Sequence, residues 1–60
     1  MDISKFLSIY ANLPIGVRGE IVVVMDDEGS MSWNAAYVEI ASGTELGKKI
    51  YDKLIRMGVI

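Results

Sequence analysis

The uninterrupted apolar run "IVVVM" within the predicted strand Glu20–Met25, "EIVVVM", is the feature that most constrains the fold of this chain. β-Branched residues favour extended strands, and a strand points successive side chains to opposite faces. Val22 and Val24 should therefore face away from the other three residues, which leaves both faces of the strand apolar and in need of cover. A chain of 60 residues can hardly supply two covering layers. The run thus predicts that a second copy or another protein covers one face.

Helical and turn signals lie on both sides of this strand. Asp2 can cap a first helix, which should end near Asn12 because Pro14 disfavours helical geometry at the residue before it. After the strand, Asp26–Gly29 has turn chemistry, and residues 30–32 can return as a short second strand. These two strands predict a β-hairpin with a loop of about four residues.

Two more helices should follow the hairpin. Ser32 and Thr44 are suitable N-caps, and Gly43 and Gly58 are suitable stops, so the third helix should run through Met57. Its apolar stripe is expected to consist of Leu46, Ile50, Leu54 and Met57. The predicted architecture is one small α+β domain over residues 1–60, in the order α-β-β-α-α, with the hairpin packed on helices.

Three adjacent acids, Asp26, Asp27 and Glu28, raise the question of a metal site. Ca²⁺ and Mg²⁺ prefer oxygen ligands, but an EF-hand loop spaces its acids at alternate positions and closes with a distant Glu. Here the acids are adjacent, and no Glu follows at that distance. We interpret the segment as a hairpin turn and expect no metal, with a metal-binding turn as the alternative.

The side chains most used in catalysis are missing. The chain has no Cys and no His, which removes disulfides, thiolate and imidazole ligands and the usual nucleophile–base pairs. We therefore expect no catalytic residues, no cofactor and no enzyme activity. We also expect a cytoplasmic protein, because nothing reads as a secretory signal and the longest uncharged segment, Phe6–Val17, is too short to span a membrane.

Four of the six basic residues lie close together near the end of the chain: Lys48, Lys49, Lys53 and Arg56. A basic helix face can follow the phosphates of a nucleic acid. However, the net charge of −2 argues against general nucleic-acid affinity, and Glu45–Lys49 and Asp52–Arg56 are favourable i,i+4 pairs. We favour a solvated face, and keep a small nucleic-acid-associated or antitoxin-like regulator as the alternative.

The central segment "LPIGVRGEIVVVMDDEGSMSWNAAYVEI" resembles a family of short, uncharacterised prokaryotic proteins, largely archaeal. The shared features are a Leu-Pro loop, an Ile/Val strand, an acidic turn and a Ser-Trp helix start followed by Ala-Tyr and Glu-Ile. The resemblance spans about half of the chain. It implies a cytoplasmic prokaryotic protein, and it implies neither an activity nor site residues.

Association is the function that these features favour. The composition is 52% hydrophobic, and so small a chain needs an interface to bury that excess. Residues 20–45 hold six acids and no base, whereas four bases and only Asp52 follow from Lys48 onward, and such opposite charges can align an assembly. Trp33 and Tyr37, one helical turn apart, belong more often to a core or an interface than to a ligand site. We expect a homodimer or a protein-binding module, with Val22, Val24, Trp33 and Tyr37 as the candidate interface.

Overall fold

The computed structural model describes residues 2–60 and confirms the predicted order α-β-β-α-α and the mixed α+β class. The elements are α1 (Ser4–Asn12), a 3-10 turn (Ile15–Val17), β1 (Ile21–Met25), β2 (Gly29–Ser32), α2 (Trp33–Ser42) and α3 (Glu45–Arg56). Strands β1 and β2 pair antiparallel. Within the described residues, no helix has the length and apolar character needed to cross a membrane.

Helix α1 does not have the expected cap: its N-cap is Ile3, which makes no side-chain cap hydrogen bond, and the residue before it is Asp2. Its Oδ1 atom accepts hydrogen bonds from the Ser4 hydroxyl at 2.7 Å and from the Ser4 backbone N–H at 3.0 Å. Because these bonds favour the charged carboxylate, they lower the pKa of Asp2 below its usual value of 3.8. The helix ends at Asn12, as expected, since Leu13 adopts the extended conformation (ψ 138°) favoured before Pro14.

The acidic segment forms the hairpin turn. Residues 26–28 make a three-residue loop between Met25 and its partner Gly29, one residue shorter than expected. Gly29 has a φ of 82°, in the left-handed region where a side chain would be strained. Three-residue hairpin loops commonly include a residue in this conformation.

The expected alternation along β1 is wrong at its first residue. The pairing shifts between Ile21 and Val23, so that Val22 is an extra, bulged residue. A bulge changes the face to which the preceding side chain points. Ile21 is therefore 56% exposed, whereas Val23 and Met25 stay in the core.

The core lies between the helices and the inner face of the hairpin. Its four largest fully buried side chains are Phe6, Ile40, Ile50 and Leu54. The hairpin adds its inward-facing residues, Val23, Met25 and Met31, to the same cluster. Helix α1 packs on α2, while α2 and α3 pack on each other and on the strands. The outer face of the hairpin, where Val24 pairs with the exposed Ser30, is left without a covering layer.

Helices α2 and α3 begin at the expected caps. Ser32 Oγ accepts the Ala35 N–H at 3.1 Å, and Thr44 Oγ1 accepts the Gly47 N–H at 2.9 Å. Gly43 follows α2 with a φ of 69°, which ends that helix as expected. The two helices are thus joined by only two residues, and this short connection holds them in direct contact.

The end of α3 differs from its expected boundary. The helix stops at Arg56, and Met57, expected in the buried stripe, is 52% exposed. The Gly58 N–H donates to the Ile55 carbonyl and the Val59 N–H to the Leu54 carbonyl, a pair of bonds that reverses the chain at a helix end. Val59 and Ile60 consequently lie half-buried against the core cluster, whereas Met57 does not.

Candidate interaction surface

An open groove lies between the end of β1 and the exposed side of α3. It has a volume of about 390 Å³ and is lined by Met25, Asp26, Lys49, Asp52, Lys53, Arg56 and Met57. Residues 49, 52, 53 and 56 follow the i, i+3, i+4, i+7 spacing of one helix face. The fold therefore brings three of the four predicted basic residues to one side of a groove and places two methionines beside them.

Two of the three groove cations already have partners within the chain. Lys53 Nζ donates to the Val24 carbonyl oxygen at 2.6 Å. Arg56 Nη2 lies 2.6 Å from Asp52 Oδ2, which confirms the expected i,i+4 pair. Lys49 makes no ion pair within residues 2–60. Its exposed ammonium is available to an anionic group of another molecule.

The other expected ion pair, Glu45–Lys49, is wrong. Glu45 instead lies 3.6 Å from Lys48, three residues along the helix. Successive helical residues are rotated by about 100°, so Lys48 and Lys49 point in different directions. Lys48 lies outside the groove and Lys49 lines it.

Of the two valines in the candidate interface, Val24 is the exposed one. Val22 lies at the bulge, where it is half-buried and packs against the core cluster. Val24 is 58% exposed. It adjoins the groove, because its carbonyl oxygen is the acceptor for Lys53. Of these two valines, Val24 therefore offers the larger apolar area to solvent.

Trp33 and Tyr37, the aromatic members of the candidate interface, both pack on α1. Trp33 stacks on Phe6 with the ring centroids 6.1 Å apart, and Tyr37 stacks on Tyr10 at 4.4 Å with the rings nearly parallel. Trp33 is half-buried, whereas Tyr37 keeps 37% of its surface exposed. Both side chains belong first to the contact between α1 and α2.

The sequence did not predict a cluster of hydrogen bonds and a cation–π contact around Tyr10. The Arg18 guanidinium carbon lies 4.6 Å from the centroid of the Tyr10 ring, and Arg18 Nη2 donates to the Ala11 carbonyl at 3.2 Å. The Tyr10 hydroxyl donates to Asn34 Oδ1 at 2.6 Å. These contacts fasten the loop after α1, and α2 itself, to the first helix. We interpret the cluster as structural. Tyr10, Arg18 and Asn34 lie on different segments of the chain, so no local sequence pattern predicts their contacts.

The acidic turn lies beside the groove. Asp26 is one of the groove-lining residues, and Asp27 and Glu28 follow it in the exposed loop. None of the three carboxylates forms an ion pair with another residue of the described chain. In the part of the chain that the structure describes, no three Asp or Glu side chains lie close enough together to hold a metal ion.

Only the α3 side of this surface was visible in the sequence. The helical spacing of Lys49, Lys53 and Arg56 could be read directly, and Asp52 fits the same pattern. The contributions of Met25 and Asp26 depend on how β1 lies against α3, which no local pattern encodes.

Compared with protein-family models, curated proteins and solved structures, the chain matches none. Its function is therefore inferred from the chemistry of its own surface.

Proposed function

We propose that this protein acts by association with a second copy of itself, and that it has no catalytic activity of its own. The observation that carries the proposal is the exposed outer face of the hairpin at Val24. Isolated exposed apolar residues are common on monomeric proteins. Val24, however, precedes the groove-lining Met25 and Asp26, and its carbonyl oxygen accepts a hydrogen bond from Lys53 in the groove wall. An exposed apolar side chain and a groove therefore lie near each other.

The size of the molecule fits this proposal. A stable interface buries about 800 Å² on each partner, which is roughly a fifth of the 3700 Å² accessible to solvent in this chain. Val24 alone cannot supply that area. We propose that the interface extends from Val24 over the acidic turn, which begins two residues later, and over the groove that Asp26 of this turn lines.

Sedimentation of the unmodified protein across a wide concentration range tests the proposal. We expect a shift from the 6.6 kDa monomer to a dimer as the concentration rises. A well-folded monomer at every concentration up to the near-millimolar range would show that the proposal is wrong.

The variant Val24→Lys shows whether the hairpin face takes part. Because Val24 is largely exposed in the single chain, the lysine should leave the monomer folded. Burying its ammonium in a dimer without a partner is costly, so we expect the dissociation constant to rise at least about tenfold. Val38→Lys is the matched control, since Val38 is a valine of similar exposure (56%) on α2. Weakening by the control alone would place the interface on α2.

A nucleic-acid-associated regulator is the second candidate, favoured by the gathering of Lys49, Lys53 and Arg56 in one groove. It ranks lower because Asp26 and Asp52 line the same groove and would repel phosphates. Salt-dependent binding of duplex DNA would favour this candidate. The cytoplasmic location remains a proposal that rests on the sequence and on the family resemblance.

A further inference from the structure

Lys49, which makes no ion pair within residues 2–60, lines the groove beside an acidic turn of opposite charge. We infer that the turn and the Lys49 side of the groove together form a self-complementary docking surface. In the proposed homodimer, on which this inference rests, the turn of each protomer lies against the Lys49 side of the partner's groove. The occupant of the groove is thus a second copy of this chain.

The charges that would meet are unsatisfied in the single chain. Asp26, Asp27 and Glu28 carry three exposed carboxylates with no ion pair in the described residues. Lys49 carries an exposed ammonium that likewise makes no ion pair in the described residues. The adjacent turn and groove do not neutralise each other internally, so both remain available to a partner.

Two-fold symmetry makes the arrangement self-consistent. In a symmetric dimer the same surface is used twice, and a patch that contacts a second patch is contacted by it in return. A two-fold axis passing between the acidic turn and Lys49 places each turn on the partner's lysine. Each favourable contact is therefore formed twice, and the exposed Met57 in the groove wall adds apolar contact area.

Side-chain docking fits this surface better than pairing of β1 with a partner strand. Lys53 of α3 donates a hydrogen bond to the Val24 carbonyl oxygen at 2.6 Å. A strand edge that a lysine or a helix covers is less able to pair with another strand. The charged groups at the edge of such an interface mainly set its register and its rate of formation. The dimer should therefore weaken as salt is added.

Reversal of single charges tests the inference. We expect Asp27→Lys and Lys49→Glu each to raise the dimer dissociation constant about tenfold at low salt, because symmetry places each reversal in two contacts. The decisive sample is an equimolar mixture of the two variants. Its heterodimer restores attraction at both contacts and should form more tightly than either variant dimerises alone.

Matched controls remove the effect of net charge. Glu20→Lys changes the total charge as Asp27→Lys does, and Lys5→Glu changes it as Lys49→Glu does. Both control residues are exposed and make no ion pair in the chain as described. Glu20 precedes β1 and Asp26 follows it, about 20 Å apart along an extended strand, which exceeds the screening length of about 8 Å at physiological salt. The control variants should dimerise like the unmodified protein, alone and mixed.

The possible results separate this inference from the proposed function. A monomeric unmodified protein overturns both. If Asp27→Lys and Lys49→Glu dimerise normally, or if both weaken but their folded mixture shows no recovery, the homodimer stands and its docking surface lies elsewhere. Recovery in the control mixture equal to that in the test mixture would also overturn the inference, because it would trace the effect to net charge.

Discussion

At the residue scale, Gly47 shows how a single side-chain atom is excluded by the packing of two helices. A Cβ atom on Gly47 would overlap the Glu39 carbonyl oxygen and would lie 2.9 Å from the Ile40 backbone nitrogen. Both belong to the backbone of α2, so no side-chain rotation can relieve the overlap. The glycine therefore allows α3 to approach α2 closely just after the short connection between them.

Gly47→Ala should destabilise the protein, although alanine normally favours a helix by about 1 kcal/mol over glycine. Overpacking of a tight contact costs about 1–3 kcal/mol, and displacing rigid backbone lies at the upper end of that range. We expect a net loss of at least about 1 kcal/mol, or roughly 4–8 °C in melting temperature. Gly16→Ala is the control, since nothing lies within 4 Å of its Cβ position. An unchanged or higher melting temperature for Gly47→Ala would contradict this account.

At the scale of an element, Ser32 joins the hairpin to α2 without an intervening loop. It is the last residue of β2, with an extended backbone (φ −78°, ψ 167°), and it is also the N-cap of the helix. Its hydroxyl oxygen accepts the Ala35 N–H, which has no partner within the helix. The direction in which α2 leaves the sheet is thus set at Ser32 and by the bonds from the Trp33 and Asn34 N–H groups to the Glu20 and Arg18 carbonyls.

Ser32→Ala should remove the side-chain cap and lower stability by about 1 kcal/mol. In a domain of this size that corresponds to roughly 4–8 °C in a thermal melt followed by circular dichroism. Ser42→Ala, at the exposed end of the same helix, should change stability by less than about 0.5 kcal/mol. Equal losses in the two variants would mean that the cap contributes nothing specific.

At the scale of the whole molecule, the helices pack on one face of the hairpin, and the core lies between the helices and that face. Helices α2 and α3 pack on the inner face of the hairpin, and α1 packs on α2 instead of on the outer face. The aromatic contacts of Phe6 with Trp33 and of Tyr10 with Tyr37 hold α1 in that position. The first helix therefore does not cover Val24, which stays exposed within the described residues.

The melting temperature should therefore depend on protein concentration, because dimerisation stabilises the native state by mass action. Above the dissociation constant, each tenfold increase contributes about 1.4 kcal/mol per dimer. With an unfolding entropy of about 2.1 cal/mol/K per residue, the melting temperature should rise by about 5 °C per tenfold. Scanning calorimetry over a hundredfold range measures this slope. The dependence should be smaller in Val24→Lys, and a constant melting temperature in the unmodified protein would count against a dimer.

The sequence by itself determined the order of the elements and nearly all of their ends. Caps and stops such as Ser32, Thr44 and Gly43 act through hydrogen bonds and backbone conformations within a few residues, so they can be read locally. The acidic turn and the end of α1 before Pro14 are local in the same sense. The spacing also predicted the basic residues of α3, but it grouped Lys48 with Lys49, Lys53 and Arg56, whereas Lys48 lies outside the groove that the other three line.

Only the tertiary structure decided how these elements meet. The bulge at Val22 turned Ile21 outward, Val59 packs against the core while Met57 stays exposed, and the close contact at Gly47 leaves no room for a Cβ atom. The groove likewise exists because β1 ends beside α3. Each of these outcomes depends on distances between residues far apart in the chain, and the shape and burial of a surface are set by those distances, whereas helix caps and turns are set by near neighbours.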